Sequence, residues 1–309
     1  MRCHTKTNDK TIKEAFPPMK LMNFWQDGEV HVGVITEQGV ADLTAAVKAC
    51  GCEDCKALGT METLIAAGEE GKKKAEEIAK TAPKKKLEEL TYAPVVTKPE
   101  KIFCIGLNYL AHAMEGSGRL PVVPEVFSKF NTALAAHNEE IPLPKAGSRF
   151  DYEAEMVIVI GKEAKCVSKE QAMDYVYGYT VGNDLTAREQ QGRVSQWLIG
   201  KSPDKFGPVG PCIVTKDAID GGNMPIRLWC NGELRQNSNT NDLIFDIPTL
   251  VSYISQFVTM KPGDLIFTGT CAGVISGMKL DPDKKPWLKP GDEVVVEIEG
   301  IGKLRNVLV

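Results

Sequence analysis

The stretch of sequence that says most about this chain is DYEAEMVIVIG, residues 151–161. Its apolar and β-branched run, Met156 to Ile160, predicts a β-strand. Because side chains alternate along a strand, Glu153 and Glu155 lie on the same face of it. Two like charges side by side are destabilising unless they are neutralised, and carboxylate oxygens prefer a hard cation such as Mg²⁺, Mn²⁺ or Ca²⁺. The pattern also allows both glutamates to face solvent on a one-sided sheet.

A third carboxylate follows another predicted strand. Asp184 stands in NDLTAR, residues 183–188, just after the β-branched and aromatic run Tyr177 to Val181. Three carboxylates around one ion leave about three octahedral positions for water and substrate. We therefore expect an open, catalytic metal site rather than a closed structural one.

The composition of the 309 residues excludes several classes of protein. Hydrophobic residues make up 43% and charged residues 25%, as in an ordinary globular protein. The net charge of −4 gives no basic surplus for binding nucleic acid, and no apolar run approaches the ~20 residues of a membrane span. Nine cysteines, an odd number scattered through predicted strands, favour free thiols in a reducing compartment, and we expect a cytoplasmic protein.

The chain divides by its sequence pattern into a leader and two domains. Residues 1–18 have no clear periodicity and are interpreted as an N-terminal extension. Residues 19–98 predict a small α/β domain, and residues 99–309 a larger catalytic domain. We place the boundary in the extended segment Tyr92 to Pro99, whose prolines disfavour a helix.

The local patterns predict few helices and many strands. In the small domain they predict a hairpin at Asp27-Gly28, helices over 44–50 (capped by Asp42) and 61–67, and a charge-rich, solvated helix over 69–90. In the larger domain helical patterns cover 168–175, 187–197 and 247–257, and strands account for most of the rest. The predicted fold is therefore α+β with β structure dominating.

Several further short motifs follow one another in a fixed order along the larger domain. They are NYLAHAME (108–115), DYEAE (151–155), NDLTAR (183–188), GKS (200–202), PVGP (208–211), NGE (231–233), PGD (262–264) and TGT (268–270). With this ordered set the sequence resembles the fumarylacetoacetate hydrolase family over roughly residues 101–309, and the small domain is similar to that of two-domain bacterial members.

The resemblance implies a β-roll of mixed sheets, assembled as a homodimer, with Mg²⁺ or Mn²⁺ as cofactor. By the same resemblance the metal ligands are Glu153, Glu155 and Asp184. Family members act on small oxo- and enol-acids, in part during the catabolism of aromatic compounds. They include acylpyruvate hydrolases, oxaloacetate decarboxylases and 2-hydroxyhepta-2,4-diene-1,7-dioate isomerases.

His112 and Glu115 are three residues apart, so on a helical turn they share a face and interact. The resemblance implies that this pair sits on a lid and acts as a general base, with the glutamate orienting the imidazole. Gly116-Ser117-Gly118 follows as a hinge. The alternative is a packed or surface histidine.

Two cations and two polar residues complete the predicted site. Arg188 is suited to holding a substrate carboxylate, with an ion pair to the site carboxylates as its alternative. Lys201 is suited to polarising an oxo group as a catalytic residue, with the same ion pair to the site carboxylates as its alternative. Gln191 shares a helical face with Arg188, and the resemblance gives Thr270 a contact to the substrate carboxylate.

Some residues depart from the family pattern or are given no role. Cys271 stands where the family usually has proline, which puts the position of Thr270 in doubt, and no histidine is its evident partner as a nucleophile. Tyr109 and Lys129 are given core or surface roles. The loop CGCEDC, residues 50–55, has three thiols but no fourth zinc ligand.

The function that these observations predict is cleavage of a C–C bond in a small 2-oxo or enol (di)carboxylate. The enzyme would be a hydrolase or decarboxylase that works through a metal-stabilised enolate. One alternative is a double-bond shift without net cleavage, as in the isomerases named above. An alternative of another class is a non-catalytic relative that only binds a carboxylate metabolite.

Overall fold

The computed structural model describes residues 19–309 except 52, 116, 117 and 119. The predicted N-terminal extension, residues 1–18, therefore lies outside the described residues. The helices are α1 (Leu43–Cys50), α2 (Met61–Ala66), α3 (Gly68–Thr81), α4 (Leu110–Glu115), α5 (Arg188–Gln191), α6 (Leu198–Lys201) and α7 (Ile247–Phe257). Among the described residues, no helix is both long enough and apolar enough to cross a membrane.

Strands outnumber helices along the chain. The first ten are β1 (Lys20–Gln26), β2 (Glu29–Thr36), β3 (Gly39–Asp42), β4 (Lys84–Lys85), β5 (Thr91–Ala93), β6 (Ile102–Gly106), β7 (Glu125–Ser128), β8 (Leu134–Ala135), β9 (Glu140–Ile141) and β10 (Phe150–Asp151). The others are β11 (Ala154–Ile160), β12 (Val176–Asn183), β13 (Thr186–Ala187), β14 (Gly207–Thr215), β15 (Pro225–Cys230), β16 (Glu233–Asn239), β17 (Leu265–Thr270), β18 (Glu293–Ile298) and β19 (Gly302–Leu308). The prediction of a β-dominated α+β fold is confirmed.

One long mixed sheet carries most of these strands. Its order is β4-β3-β2-β1-β14-β12-β11-β17-β6-β7, with β5 beside β1 and β8 beside β14. A second sheet has the order β16-β15-β18-β19-β9, and β10 pairs with β13. Because β1 pairs with β14, main-chain hydrogen bonding continues across the predicted domain boundary, which stays a prediction.

The small domain follows its sequence signals until the end of α3. The turn residues Asp27 and Gly28 have φ of 51° and 81°, as a two-residue hairpin turn requires, and Asp42 accepts the Ala45 N–H at the start of α1. The predicted helix over 69–90 is wrong beyond Thr81, because Ala82 precedes a proline and is extended. The α3 face that carries Lys72 is also buried, so this helix is not solvated all round.

Two predicted helices of the larger domain are wrong in extent, and the third is confirmed. Within residues 168–175 helical structure is limited to a 3₁₀ turn over Ala172–Tyr175, because so short a pattern does not stabilise a helix alone. The pattern over 187–197 gives only α5, which ends at Gly192, a residue that disfavours helix. The helix over 247–257 is α7, whose cap Asp246 accepts the Thr249 N–H.

Strand β11 runs through the middle of the molecule and is buried along its whole length. Met156, Ile158 and Ile160 pack into one hydrophobic core, while Val157 and Val159 pack into a second. Apolar layers therefore cover both faces of the sheet, which excludes the one-sided, solvated sheet that the sequence also allowed.

The register of the sheet brings the predicted motifs together at one edge. Residue Glu155 on β11 pairs with Gly182 on the neighbouring strand β12 and with Thr270 on β17. The start of β11 therefore meets the ends of β12 and β17, and Asp184 follows directly after β12.

Candidate active site

The three predicted carboxylates converge at this edge of the sheet. Each of Glu153, Glu155 and Asp184 offers an oxygen within 4.8 Å of the others. The three residues are at most 5% exposed. Within the part of the chain that the structure describes, this is the one group of acidic, histidine or cysteine side chains with metal-ligand spacing.

Two lysines neutralise part of this cluster. The ammonium of Lys201 contacts Glu153 Oε2 at 2.6 Å and Asp184 Oδ2 at 2.8 Å. Lys129 contacts Asp184 Oδ1 at 2.6 Å, with both side chains fully buried. Burial on its own would raise the pKa of Glu153, but the charges of Lys201 and Arg188 bring that pKa below its usual value.

Glu155 differs from the other two carboxylates. Among the described residues no lysine, arginine or histidine forms an ion pair with it, and its Oε2 accepts the Gly269 N–H at 2.8 Å. Burial, followed by the charges of Asp184 and Glu153, raises the pKa of Glu155 well above its usual range. The cluster thus holds one buried acid that forms no ion pair with a described residue, although the Lys201 charge offsets part of the cost.

The charge balance of the site fits a divalent cation. Among the described residues at the site, the buried carboxylates of Asp151, Glu153, Glu155 and Asp184 outnumber the cations by one, since the cations are Lys129, Lys201 and the partly exposed Arg188. A divalent ion would reverse this excess and leave the site positive, which suits an anionic substrate. The all-oxygen donor set is the one that Mg²⁺ and Mn²⁺ prefer, so the residues present fit such an ion.

Arg188 is the first residue of α5, and its guanidinium contacts three acceptors. Its Nε donates to Asp151 Oδ2 at 2.8 Å, its Nη2 lies 2.7 Å from Glu153 Oε1, and its Nη1 donates to Gln191 Oε1 at 3.1 Å. The ion pair weighed in the sequence therefore exists. A guanidinium has five N–H groups, so one N–H on each terminal nitrogen remains for a ligand.

His112 and Glu115 lie on α4 and contact each other as their spacing predicts. The distance from His112 Nδ1 to Glu115 Oε2 is 3.3 Å. The same carboxylate accepts the Gly273 N–H at 3.2 Å, which docks α4 on the loop after β17. Of the predicted hinge, Gly116 and Ser117 lie outside the described residues.

A cavity of about 300 Å³ opens beside the carboxylates. Six of the predicted site residues line it: His112, Glu153, Arg188, Gln191, Lys201 and Thr270. Phe127 and Trp197, which the sequence did not predict, form an apolar wall with their rings edge to face and 5.3 Å between centroids. The ammonium of Lys201 lies 5.1 Å from the Phe127 ring, a cation–π distance.

The loop that begins at Thr270 is held by a residue that sequence reasoning missed. Gln236 is buried, and its amide donates to Thr270 Oγ1 at 2.9 Å and to Cys271 O at 2.7 Å. The Thr270 hydroxyl in turn donates to Ala154 O at 2.9 Å. A side-chain clamp thus orders the loop where the family usually has proline.

The remaining sequence hypotheses concern Cys271, Tyr109, Lys129 and the cysteine loop over residues 50–55. Burial raises the pKa of the Cys271 thiol to about 12, which does not favour a nucleophile. Tyr109 is buried in the core as predicted. Lys129 is also buried, but its ammonium belongs to the carboxylate cluster, which the sequence did not predict. In the cysteine loop, Cys52 lies outside the described residues.

Comparison with known proteins finds a matching family profile, related sequences and similar solved structures. The profile of the fumarylacetoacetate hydrolase C-terminal domain matches residues 101–309. The rat mitochondrial oxaloacetate tautomerase is 44% identical over 223 residues, which cover 72% of this chain and 70% of the rat protein.

Two solved structures share the fold over nearly the whole chain. The 2-hydroxyhepta-2,4-diene-1,7-dioate isomerase of Mycobacterium marinum is 30% identical, with a TM-score of 0.71 over 94% of this chain and 98% of its own. The maleylpyruvate hydrolase of Sphingobium sp. SYK-6, solved with manganese(II) and pyruvate, is 31% identical, with a TM-score of 0.77 over 94% of this chain and 99% of its own.

Proposed function

Because this chain belongs to the fumarylacetoacetate hydrolase family, we propose that it is a divalent-metal-dependent enzyme that converts a small 2-oxo dicarboxylate through its enol form. One observation carries the proposal. Glu155, a buried carboxylate that forms no ion pair with any residue the structure describes, stands among two further carboxylates beside a cavity that Arg188 and Lys201 line. Such a site attracts a hard cation and then an anion.

The reaction favoured here is keto–enol tautomerisation of a four-carbon diacid of the oxaloacetate type. The rat protein named as an oxaloacetate tautomerase is more similar in sequence than the hydrolase and isomerase neighbours. A cavity of about 300 Å³ stands at the low end of the range for ligand pockets and suits so small an acid.

C–C bond cleavage is the second candidate, because hydrolysis or decarboxylation of such an acid also leaves an enolate next to the 2-oxo group, which needs the same stabilisation. The neighbour named as a maleylpyruvate hydrolase supports it, and the His112–Glu115 pair is equally suited to activating a water.

The cofactor that we propose is Mg²⁺ or Mn²⁺, held by Glu153, Glu155 and Asp184. When bound, such an ion supplies a Lewis acid that polarises the 2-oxo group and stabilises the charge of the enolate. The remaining N–H groups of Arg188 bind a substrate carboxylate with two parallel hydrogen bonds. The Lys201 ammonium adds positive charge beside the oxo group.

The proton that moves in tautomerisation is assigned to the dyad on α4. When His112 Nδ1–H donates to Glu115, the Nε2 lone pair is free to accept a proton from the carbon next to the oxo group. The imidazolium then gives this proton to the enolate oxygen, which forms the enol and restores the neutral imidazole, and Glu115 stabilises the imidazolium meanwhile. Phe127 and Trp197 limit the access of water to the other side of the cavity.

The proposed partners are a small oxo-acid substrate and a second copy of this chain in a homodimer, with no nucleic acid or membrane among them. We propose the cytoplasm as the location, because Cys104, Cys212, Cys230 and Cys271 are buried free thiols. The related rat protein is named as mitochondrial.

The test of the proposed function is a set of assays on one preparation, with Mg²⁺ or Mn²⁺ present and after chelation. Loss of the ultraviolet absorbance of enol-oxaloacetate reports tautomerisation, and pyruvate release reports decarboxylation. Hydrolysis of acylpyruvates and isomerisation of a dienedioate are measured beside them. We expect metal-dependent tautomerisation to be fastest. A protein that binds oxalate with metal but turns over none of the substrates would be a sensor.

We expect the substitution His112→Gln to lower kcat about 100-fold and to leave KM within about threefold, because the general base is lost while the carboxylate-binding groups stay. Steady-state kinetics on the preferred substrate measure this split. His137→Gln is the matched control, since His137 lies outside the cavity and accepts the Arg305 N–H. Equal kcat for the two variants would contradict the role of His112.

A further inference from the structure

We propose that Asp151 is a positioning residue that fixes both the substrate-binding arginine and the loop on which the general-base pair rests. The inference deepens the proposed function and rests on it. Asp151 is fully buried and lies outside the group of three metal-ligand candidates.

The Asp151 carboxylate accepts four hydrogen bonds, two on each oxygen. Oδ2 accepts from Arg188 Nε at 2.8 Å and from the Ser276 N–H at 2.9 Å. Oδ1 accepts from the Ile275 N–H at 2.8 Å and from the Tyr152 N–H at 2.9 Å. Four donors around one buried carboxylate fix its orientation rigidly.

One side of this network sets the plane of the Arg188 guanidinium. The orientation of a planar group is fixed when more than one of its N–H donors has an acceptor. Asp151 is the acceptor for Nε, while Glu153 contacts Nη2 and Gln191 accepts from Nη1. Of the three acceptors, Asp151 is the one that neither lines the cavity nor belongs to the metal-ligand group. It therefore holds the guanidinium whatever occupies the site.

The other side of the network anchors the loop over residues 273–277. Gly273 donates its N–H to Glu115, and a Cβ on Gly277 would lie 2.2 Å from Glu115 Cδ, so the glutamate rests directly on this loop. Since Asp151 holds the N–H groups of Ile275 and Ser276 between these glycines, it fixes the surface on which Glu115 sits.

The substitution Asp151→Asn tests this arrangement. An asparagine, in either orientation of its amide, turns an NH₂ group toward two N–H donors and loses the charge that pairs with Arg188. We expect KM for oxaloacetate to rise about tenfold or more, because Arg188 is no longer held in position to bind the substrate carboxylate. We expect kcat to fall as well, because His112 and Glu115 are also displaced from the substrate.

Asp264→Asn is the matched control. Asp264 is equally buried, accepts hydrogen bonds from the main-chain N–H groups of Lys101 and Lys261, and forms an ion pair with the Lys101 ammonium at 3.0 Å. It precedes β17, at the end of that strand away from Thr270. We expect both variants to lower the thermal midpoint, while Asp264→Asn leaves KM and kcat within about twofold.

A double-mutant cycle with Arg188→Lys separates positioning from general damage. If Asp151 acts through Arg188, adding Asp151→Asn to Arg188→Lys raises KM by less than about threefold further, so the two effects are not multiplicative. Multiplicative effects on KM, or kinetics of Asp151→Asn equal to those of Asp264→Asn, would overturn the inference. A wild-type protein without turnover and without oxalate binding in the presence of Mn²⁺ would refute the proposed function, and this inference with it.

Discussion

Replacing Glu155 by glutamine is expected to abolish metal-dependent turnover and, at the same time, to raise the thermal midpoint of the metal-free protein. Both effects have one cause. Glu155 is buried beside Asp184 and Glu153 and forms no ion pair with any residue the structure describes, so its ionised form is costly until a cation binds, as the raised pKa of its carboxyl indicates. Glutamine keeps the shape of the side chain, removes the charge and cannot replace the anionic ligand.

The measurement is thermal unfolding with chelator and with saturating Mg²⁺ or Mn²⁺, together with the turnover assay. An ion at about 100 times its Kd stabilises a wild-type protein by about 2.7 kcal/mol, which amounts to several degrees, and we expect Glu155→Gln to show no such increase. An ordinary buried carboxylate would behave differently, since its removal leaves hydrogen-bond donors unpaired and lowers the midpoint.

Glu153→Gln is the matched variant with the opposite expected sign. Glu153 contacts both Lys201 and Arg188, so its loss leaves two buried cations short of a partner and destabilises the metal-free protein. Both variants should lose the response to metal. If Glu155→Gln lowers the midpoint of the metal-free protein as much as Glu153→Gln does, Glu155 is not the uncompensated charge described here.

The part of the site that could be predicted from sequence is the part that short-range periodicity controls. The same-face placement of Glu153 and Glu155 follows from strand alternation, and the contact of His112 with Glu115 follows from helical spacing. The position of Asp184 after a predicted strand is likewise local. Such patterns need only a few neighbouring residues, so they can be detected without knowledge of the tertiary fold.

The residues that were missed depend on contacts between distant segments. Gln236 on β16 bonds to the loop after β17. Asp151 bonds both to Arg188 and to a loop that lies more than 120 residues after Asp151 in the chain. No local pattern marks a glutamine or an aspartate for such a role. The only available signal was the presence of Asp151 inside the motif DYEAE, which gave it no function.

The sequence also gave wrong extents where tertiary contacts outweigh propensity. The helix expected over 187–197 stops after Gln191, where Arg188 is held by Asp151 and Glu153 and a glycine follows. A continuous helix would have to extend the axis of α5 through the residues between Gly192 and α6. Instead a new helix, α6, begins at Leu198 and brings Lys201 onto the carboxylates.

The largest effect on stability is expected for Lys129→Met, a substitution that keeps an unbranched chain one atom shorter and removes the charge. Lys129 is wholly buried and contacts Asp184 Oδ1 at 2.6 Å, and its ammonium donates to the carbonyls of Leu185, Lys201 and Phe206. Methionine would leave the aspartate with one fewer cation and three carbonyls without this donor.

Breaking a buried pair by removal of one partner costs about 3–5 kcal/mol, and we expect a decrease of this size in the free energy of unfolding, measured by denaturant titration of the metal-free protein. Lys48→Met is the control, because Lys48 and its partner Glu29 are more than half exposed and such pairs contribute about 0–1 kcal/mol. Since Lys129 also bonds the main chain of Lys201 and Phe206, its loss should loosen α6 and weaken metal binding through Asp184. Equal stability losses in the two lysine variants would show that Asp184 does not depend on this buried cation.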